Sequence, residues 1–364
     1  MSRYILHLIT SYVSNLYMYN QIVGVRGYKP VVYGDTVLEN LPFEHFVQRS
    51  GRNDYVNIAR KYPIELVHAH FGSLGAKVSR LAKKNNLPLV THFRGGDGSN
   101  DPKVKDQLKR KYENLMNEGT LFVPVCKALV PMLKDLGFPE EKIQVLYGGI
   151  DLKDFPYQTR NFETTEKFRI CFVGKTSPKK GIPTLIKAFA YLLKHFQHLE
   201  LRIISSTPKS QVDLKEFQTI LWMIDRLKIQ DKVTFLFNVQ NKHLHKELHQ
   251  AHLFCHPSET SNGNIEGIPN ALKEAMATGL PSISTYHAGI PELIKNQLNG
   301  WLVPESDPAA LAYAMGQCIT NPALCQRFAE QGHKTIEEKF DLKKQLLVQK
   351  QMYDSLVERR IRVG

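Results

Sequence analysis

The sequence turns on residues 255–294, CHPSETSNGNIEGIPNALKEAMATGLPSISTYHAGIPELI. An apolar strand-like run ends at His256, and a loop rich in Ser, Asn and Gly continues to Gly267. A helix is expected over 270–278, with Pro269 at its start, where a missing N–H costs nothing, and Gly279 and Pro281 ending it. Small loop residues let backbone N–H groups approach a ligand closely. The unpaired N–H groups of a helix start, here Gly267 and Ile268 leading into Asn270 and Ala271, favour a phosphate. Strand, small-residue loop and helix in this order describe an anion site on an α/β fold.

The same rhythm extends in both directions. Short apolar runs at 4–9, 30–33, 66–69, 88–92, 121–125 and 143–146 alternate with amphipathic stretches of helix length, and the pattern restarts at 168–173, 201–205, 233–237, 253–256, 281–285 and 300–303. Near-continuous apolar strands separated by helices indicate parallel sheets covered on both faces, so two doubly wound units are expected. Residues 148–167, GGIDLKDFPYQTRNFETTEK, have neither period and are read as the linker. The expected domains are therefore 1–160 and 161–335, with a terminal helix over 336–360 crossing back onto the first. Ligands bind outside the carboxyl ends of such strands, which makes a cleft between the two domains the expected active site.

Composition is consistent with this and narrows the partners. At 364 residues, 42% apolar and 23% charged, the chain is neither disordered nor fibrous. Its net charge of +13 divides into +6 over 1–155 and +7 over 156–364, so the concentrated basic footprint of a nucleic-acid binder is missing. Five cysteines at irregular spacing, Cys126, Cys171, Cys255, Cys318 and Cys325, read as reduced core residues of a cytosolic protein. No run approaches the ~18 apolar residues of a membrane helix, so any membrane contact is expected to be peripheral. The run Lys103, Lys105, Lys109, Arg110 and Lys111 reads first as a solvated helix face and second as a contact for anionic lipid.

Several side chains belong with the anion site. Glu266 lies just before the 270–278 helix and Glu274 about one turn into it. A carboxylate accepts hydrogen bonds from two vicinal hydroxyls, so carboxylates flanking a diphosphate site suit a nucleotide sugar. In FVGKTSPKKG, 172–181, Gly174 allows a tight strand exit, and Lys175 and Lys180 are spaced to reach a diphosphate. In PLVTHFRGGD, 88–97, His92 and Arg94 stand at a strand end facing the expected cleft. Of the histidines 243, 245, 249, 252 and 256, the 245/249 pair has helical spacing. Lys246 stands where a zinc protease carries Glu, so no metal site is expected there.

Together, EGIPNALKEAMATGLPSISTYHAGIPELI, FVGKTSPKKG, YGGIDLKDF (147–155) and VHAHFG (67–72) resemble the retaining glycosyltransferases of family 4, closest to bacterial polysaccharide-assembly members. The resemblance implies a GT-B architecture, two Rossmann-like domains facing across a cleft. It implies transfer of a hexose from a nucleotide diphosphate sugar to a saccharide or lipid-linked acceptor, in the cytoplasm or at the inner face of the membrane. By the same resemblance Glu266 bonds donor-sugar hydroxyls, Glu274 the ribose, Lys175 and Lys180 the diphosphate, and Arg94 or His92 the reacting sugar. Ser14 and Asn15, after the first strand, would line the acceptor side. Lys175 stands where relatives carry Arg, and Phe237 where they carry Gly near the base, so base identity does not transfer. With no Asp-x-Asp cluster at a strand end, neither metal nor other cofactor is expected. A phosphorylase or sucrose-type synthase on a soluble acceptor is the second reading, and a non-catalytic polyanion-binding protein the third.

Overall fold

A computed structural model describes residues 3–10, 16–36, 41–51, 54–97, 101–163, 167–263 and 266–363. The chain divides into two compact units, one formed by residues 1–149 and 342–364 and the other by 150–341.

Each unit holds one parallel six-stranded sheet. The first contains β1 (Tyr4–Leu8), β2 (Lys29–Gly34), β3 (His45–Gln48), β4 (Ile64–Ala69), β5 (Leu89–Phe93) and β6 (Leu121–Pro124), in the order β3-β2-β1-β4-β5-β6. The second contains β7 (Phe168–Val173), β8 (Leu199–Ser205), β9 (Val233–Phe237), β10 (Leu253–His256), β11 (Ser282–Thr285) and β12 (Trp301–Val303), in the order β12-β11-β10-β7-β8-β9. Both follow the doubly wound pattern, in which the strand order reverses once, between β1 and β4 and between β7 and β10.

Two strand expectations change. The edge strand β3, HFVQ, is short, half-buried and half-polar, so it carries no apolar run, yet it pairs with β2 from Val31↔His45 to Gly34↔Gln48. Residues 143–146 form no strand. They touch the sheet edge through Gln144 N–H to Phe122 O (2.9 Å) and Leu146 N–H to Pro124 O (3.1 Å), and one isolated bridge is all that results.

Residues 150–160, expected in the first domain, are fastened to the second unit. The Ile150 N–H donates to Phe340 O (2.7 Å), and the Arg160 guanidinium donates to the carbonyls of Thr278 (2.6 Å), Leu248 (3.0 Å) and Ala251 (3.3 Å). The expected 336–360 helix is broken at Asp341, where the backbone is extended between a π turn, Ile336–Phe340, and the helix Leu342–Val363. That helix belongs to the first unit. Its Tyr353, Leu356 and Val357 enter the core around Ile5, Leu66 and Val90, and Asp354 accepts from Tyr28 Oη (2.8 Å) and pairs with Arg3 (3.3 Å).

The second unit's core forms where helix Ile182–Leu193 presents Ile182, Leu185, Ile186 and Phe189, spaced three and four residues apart, to Ile170, Phe172 and Leu201 of the sheet. The five cysteines are buried. No helix among the described residues is long and apolar enough to cross a membrane.

Gly181 starts that helix with φ +63°, and a Cβ there would overlap the Pro257 carbonyl oxygen. Gly181→Ala therefore combines left-handed strain with a backbone clash that no side-chain rotation relieves. A loss of about 3 kcal/mol in denaturant unfolding is expected, whereas Gly316→Ala, whose Cβ meets only a side-chain methyl at 3.5 Å, should stay within about 1 kcal/mol.

Candidate functional site

At the switch point of the second sheet the loops leaving β7 and β10 emerge on one edge and diverge. The β7 loop runs through Gly174 and Lys175 to a 3-10 turn, Pro178–Lys180, and into helix Ile182–Leu193. The β10 loop leads to helix Asn270–Ala277. The two loops dock through the close approach at Gly181 and through Glu259 N–H to Lys179 O (3.0 Å). Gly279, with φ +72°, closes the second helix: its N–H reaches Met276 O (3.0 Å) and Leu280 N–H reaches Ala275 O (3.0 Å), satisfying carbonyls of the last turn.

This docking brings Glu266 and Lys180 together, 86 residues apart in sequence. Lys180 Nζ lies 2.8 Å from Glu266 Oε2 and Lys179 Nζ 3.2 Å from Oε1, with the glutamate side chain 11% exposed. Burial opposes ionisation of Glu266, but the Lys180 and Lys179 ammonium groups outweigh it and hold the carboxyl down at about 2. A relay fixes the backbone beneath. The Glu266 N–H donates to His287 Nε2 (3.1 Å), which places the imidazole proton on Nδ1, where it donates to Glu305 Oε1 (2.8 Å). Glu305 in turn accepts the Thr260 N–H (2.6 Å).

Glu274 has the opposite electrostatics. It is 5% exposed, and burial, with no cation to offset it, pushes its carboxyl up to about 8. Gly267, Ile268, Asn270 and Ala271 are half-buried along the approach to the same helix. The first N–H groups of that helix have no intrahelical partner, which gives its start a partial positive charge. Gly174 and the exposed Lys175 line a cavity of about 230 Å³ at the carboxyl ends of β7 to β9, together with Ser205, Asn238 and Asn241. Phe237, at the end of β9, is 40% exposed.

The remaining candidates belong to the first unit. His92 is fully buried, stacked 5.6 Å from His68, and neither ring nitrogen has a hydrogen-bond partner among the described residues. Arg94 is half-buried and donates to Gln21 Oε1 (2.8 Å), while burial lowers its guanidinium to about 10. Asp97 fixes this turn by accepting the Arg94 N–H (2.9 Å) and the Gly72 N–H (3.0 Å), and burial pushes its carboxyl up to about 6. Of the two residues at the end of β5, then, Arg94 is the one with a solvent-facing side. Ser14 and Asn15 lie outside the described residues.

Sequence reasoning missed Lys179, His287 and Glu305. Lys179 adjoins a chosen lysine, and His287 lies within the quoted 255–294 stretch, but nothing in the order of residues pairs either with Glu266. Three of the 243–256 histidines have separate partners: His249 with Pro156 O (2.9 Å), His252 with the Arg169 N–H (2.9 Å) and His256 with Ser258 Oγ (3.0 Å).

The lowered Glu266 carboxyl has a defined pH signature. Its folded value of about 2 lies below the ordinary 4.5, so its ionisation stabilises the fold above about pH 4.5 and the contribution disappears as pH falls toward 2. Glu266→Gln should cost on the order of 3 kcal/mol at pH 7 by denaturant unfolding. That gap should shrink steadily between pH 5 and pH 3, and a gap independent of pH would contradict the ion-pair origin.

Comparison with known proteins follows the same division of the chain. The model for Glycosyl transferases group 1 matches residues 156–335, and that for Glycosyltransferase Family 4 matches residues 23–154. The amylovoran biosynthesis glycosyltransferase AmsK of Erwinia amylovora is 33% identical over 257 residues, covering 70% of this chain and 61% of AmsK. The chain thus spans about three-fifths of that relative's length. A glycosyltransferase from Rickettsia africae ESF-5 has the same fold, with a TM-score of 0.83 at 17% identity over 98% of this chain and 99% of that one. HepE of Anabaena, solved in complex with UDP and glucose, gives 0.81 at 17% identity over 97% and 100%. Two parallel sheets with matching reversals, and two family models that meet near the unit boundary, lead to one assignment: the chain belongs to the family-4 glycosyltransferases of GT-B fold.

Proposed function

We propose that the chain transfers a hexose, with retention of configuration, from a nucleotide diphosphate sugar to a hydroxyl of a saccharide or lipid-linked saccharide during bacterial polysaccharide assembly. The observation that carries this reading is the Glu266–Lys180 contact of 2.8 Å at the switch point, beside the start of helix Asn270–Ala277. A carboxylate, paired ammonium groups and a helix N-terminus on one sheet edge suit hydroxyls and a diphosphate together. The UDP and glucose bound by HepE and the polysaccharide named for AmsK support the same substrate classes.

The work divides among the side chains. Lys180, Lys175 and the N–H groups entering the helix stabilise charge on the departing diphosphate. Glu266 accepts hydrogen bonds from sugar hydroxyls, and Glu274 binds the ribose. With its carboxyl at about 8, Glu274 is mostly protonated at pH 7 before donor arrives, so it both donates and accepts. Lys175 acts as a point charge rather than a planar fork. In the first unit Arg94, rather than the fully buried His92, is assigned to the reacting sugar. These cations take the part that a divalent ion plays in other transferases, so transfer is independent of added metal. A cytoplasmic place at the inner membrane face fits the exposed Lys103, Lys109, Arg110 and Lys111 of helix Pro102–Glu118.

Thermal shift against UDP, GDP and ADP sugars identifies the donor, since a bound donor at 100 times its Kd stabilises by about 2.7 kcal/mol. With that donor, Lys180→Ala and Glu274→Ala should each lower turnover at least ~100-fold and weaken nucleoside diphosphate binding. If both variants bind and turn over normally, the site is elsewhere. The rate should be equal with and without added Mg²⁺ or Mn²⁺, and strict dependence on either ion would overturn the metal-free step.

A further inference from the structure

We propose that His7, His68 and His70 form a binding site for a divalent transition metal of the zinc class inside the first unit, beyond the proposed transfer chemistry. The three come from the switch point of the first sheet. His7 of β1 is the register partner of His68 of β4, and the His70 N–H continues the pairing by donating to Leu8 O (3.0 Å). Residues 68 and 70 share a face by the two-residue period of a strand. Adjacent parallel strands thus bring three imidazoles to one point.

The rings are in contact. His7 Nδ1 and His70 Nε2 lie 3.0 Å apart, the His68 and His70 rings stack with centroids 4.3 Å apart, and the His7 and His68 centroids are separated by 5.4 Å. One ring nitrogen from each lies within 4.8 Å of the other two. Tetrahedral zinc, with bonds of about 2.0–2.1 Å to imidazole, needs its ligands roughly 3.4 Å apart. The His7–His70 pair is already near that spacing, and a His68 nitrogen lies within 4.8 Å of both.

A second observation is independent of proximity. The three rings are at most 2% exposed, yet His68 Nε2 has no hydrogen-bond partner among the described residues, and neither nitrogen of the stacked His92 has one. Protein interiors rarely leave such atoms unpaired, and an ion is one of the few things that satisfies several lone pairs at once. The outer contacts also suit ligation. His68 Nδ1 is hydrogen-bonded to Tyr353 Oη, which Gln349 Nε2 also contacts at 2.6 Å. Either ring nitrogen of His68 can carry the proton in this contact, and ligation selects the tautomer with Nδ1–H directed to Tyr353 Oη and the Nε2 lone pair free. Burial keeps the imidazoles unprotonated, His7 down to about 3, as ligation requires. The Arg94 Nη2 lies 3.5 Å from His70 Nδ1, and Asp97 is the acid beside Arg94. Three histidines leave a fourth position for water.

The test uses the whole chain, stripped with a chelator and titrated with Zn²⁺ and with Co²⁺. One equivalent of Zn²⁺ should bind and raise the Tm, and the Co²⁺ form should show the visible absorption of a tetrahedral site. X-ray absorption of the wild-type zinc form should count three imidazoles and no thiolate. His68→Gln and His70→Gln should each weaken binding at least ~10-fold, while His243→Gln, on an exposed helix face of the second unit, leaves it unchanged. Absence of saturable binding, fewer than three imidazoles, a thiolate ligand, or equal affinity in folded His68→Gln would each overturn the proposal. The X-ray count needs only the wild-type protein, so a variant that fails to fold leaves the outcome decided.

Discussion

In a parallel sheet every strand delivers its chain to the same edge, and where the strand order reverses, neighbouring chains leave in opposite directions. The edge between β1 and β4, and again between β7 and β10, is therefore left open by the topology itself. Side chains that emerge there need no special folding to be accessible to a ligand. What they need is to be held, and in the second unit a backbone approach does this. Gly181 fits against Pro257 only because it lacks a Cβ, and the loops of β7 and β10 thereby lock into one assembly. The Glu266–Lys180 pair exists because that lock sets its two halves in register.

Two glutamates eight residues apart then acquire opposite character. Glu266 and Glu274 are both largely buried, and burial alone pushes each toward the protonated form. For Glu266 two ammonium groups reverse the outcome, while for Glu274 nothing does. The difference comes from the neighbours and not from the residue, and it divides labour: one group stays an acceptor, the other is also able to donate.

Local patterns carried most of this into the sequence. Continuous apolar runs marked eleven of the twelve strands among the described residues, because a strand covered on both faces must be apolar throughout. β3 escaped because an edge strand faces solvent, and 143–146 misled because an apolar segment packed beside a sheet has the same composition as one within it. The small-residue loop after β10 and the helix end at Gly279 were legible because glycine, proline and helix ends are local, whereas Glu266 and Glu274 stood out only through their place beside that loop and the family resemblance. Lys179, His287 and Glu305 were not, since their roles depend on contacts across 18 to 87 positions. Among the histidines, helical spacing at 245 and 249 drew attention, whereas His7, His68 and His70 converge through strand pairing, which no linear spacing reveals.

The lysine–glutamate pair also constrains how an anion can enter. Lys179 and Lys180 against Glu266 leave one uncompensated positive charge at the pair itself, apart from the exposed Lys175 earlier in the β7 loop. In the proposed reaction the second charge would become available as Glu266 turns from the ammonium groups to hydroxyls, which are the groups a sugar attached to a diphosphate brings. A free diphosphate offers the lysines a new partner but leaves Glu266 buried without one, and an unpaired buried charge is costly. A sugar-bearing diphosphate satisfies both at once. Under the proposed function the site would discriminate through this partner exchange, favouring the intact donor over the bare nucleotide by whatever the Glu266–hydroxyl bonds contribute.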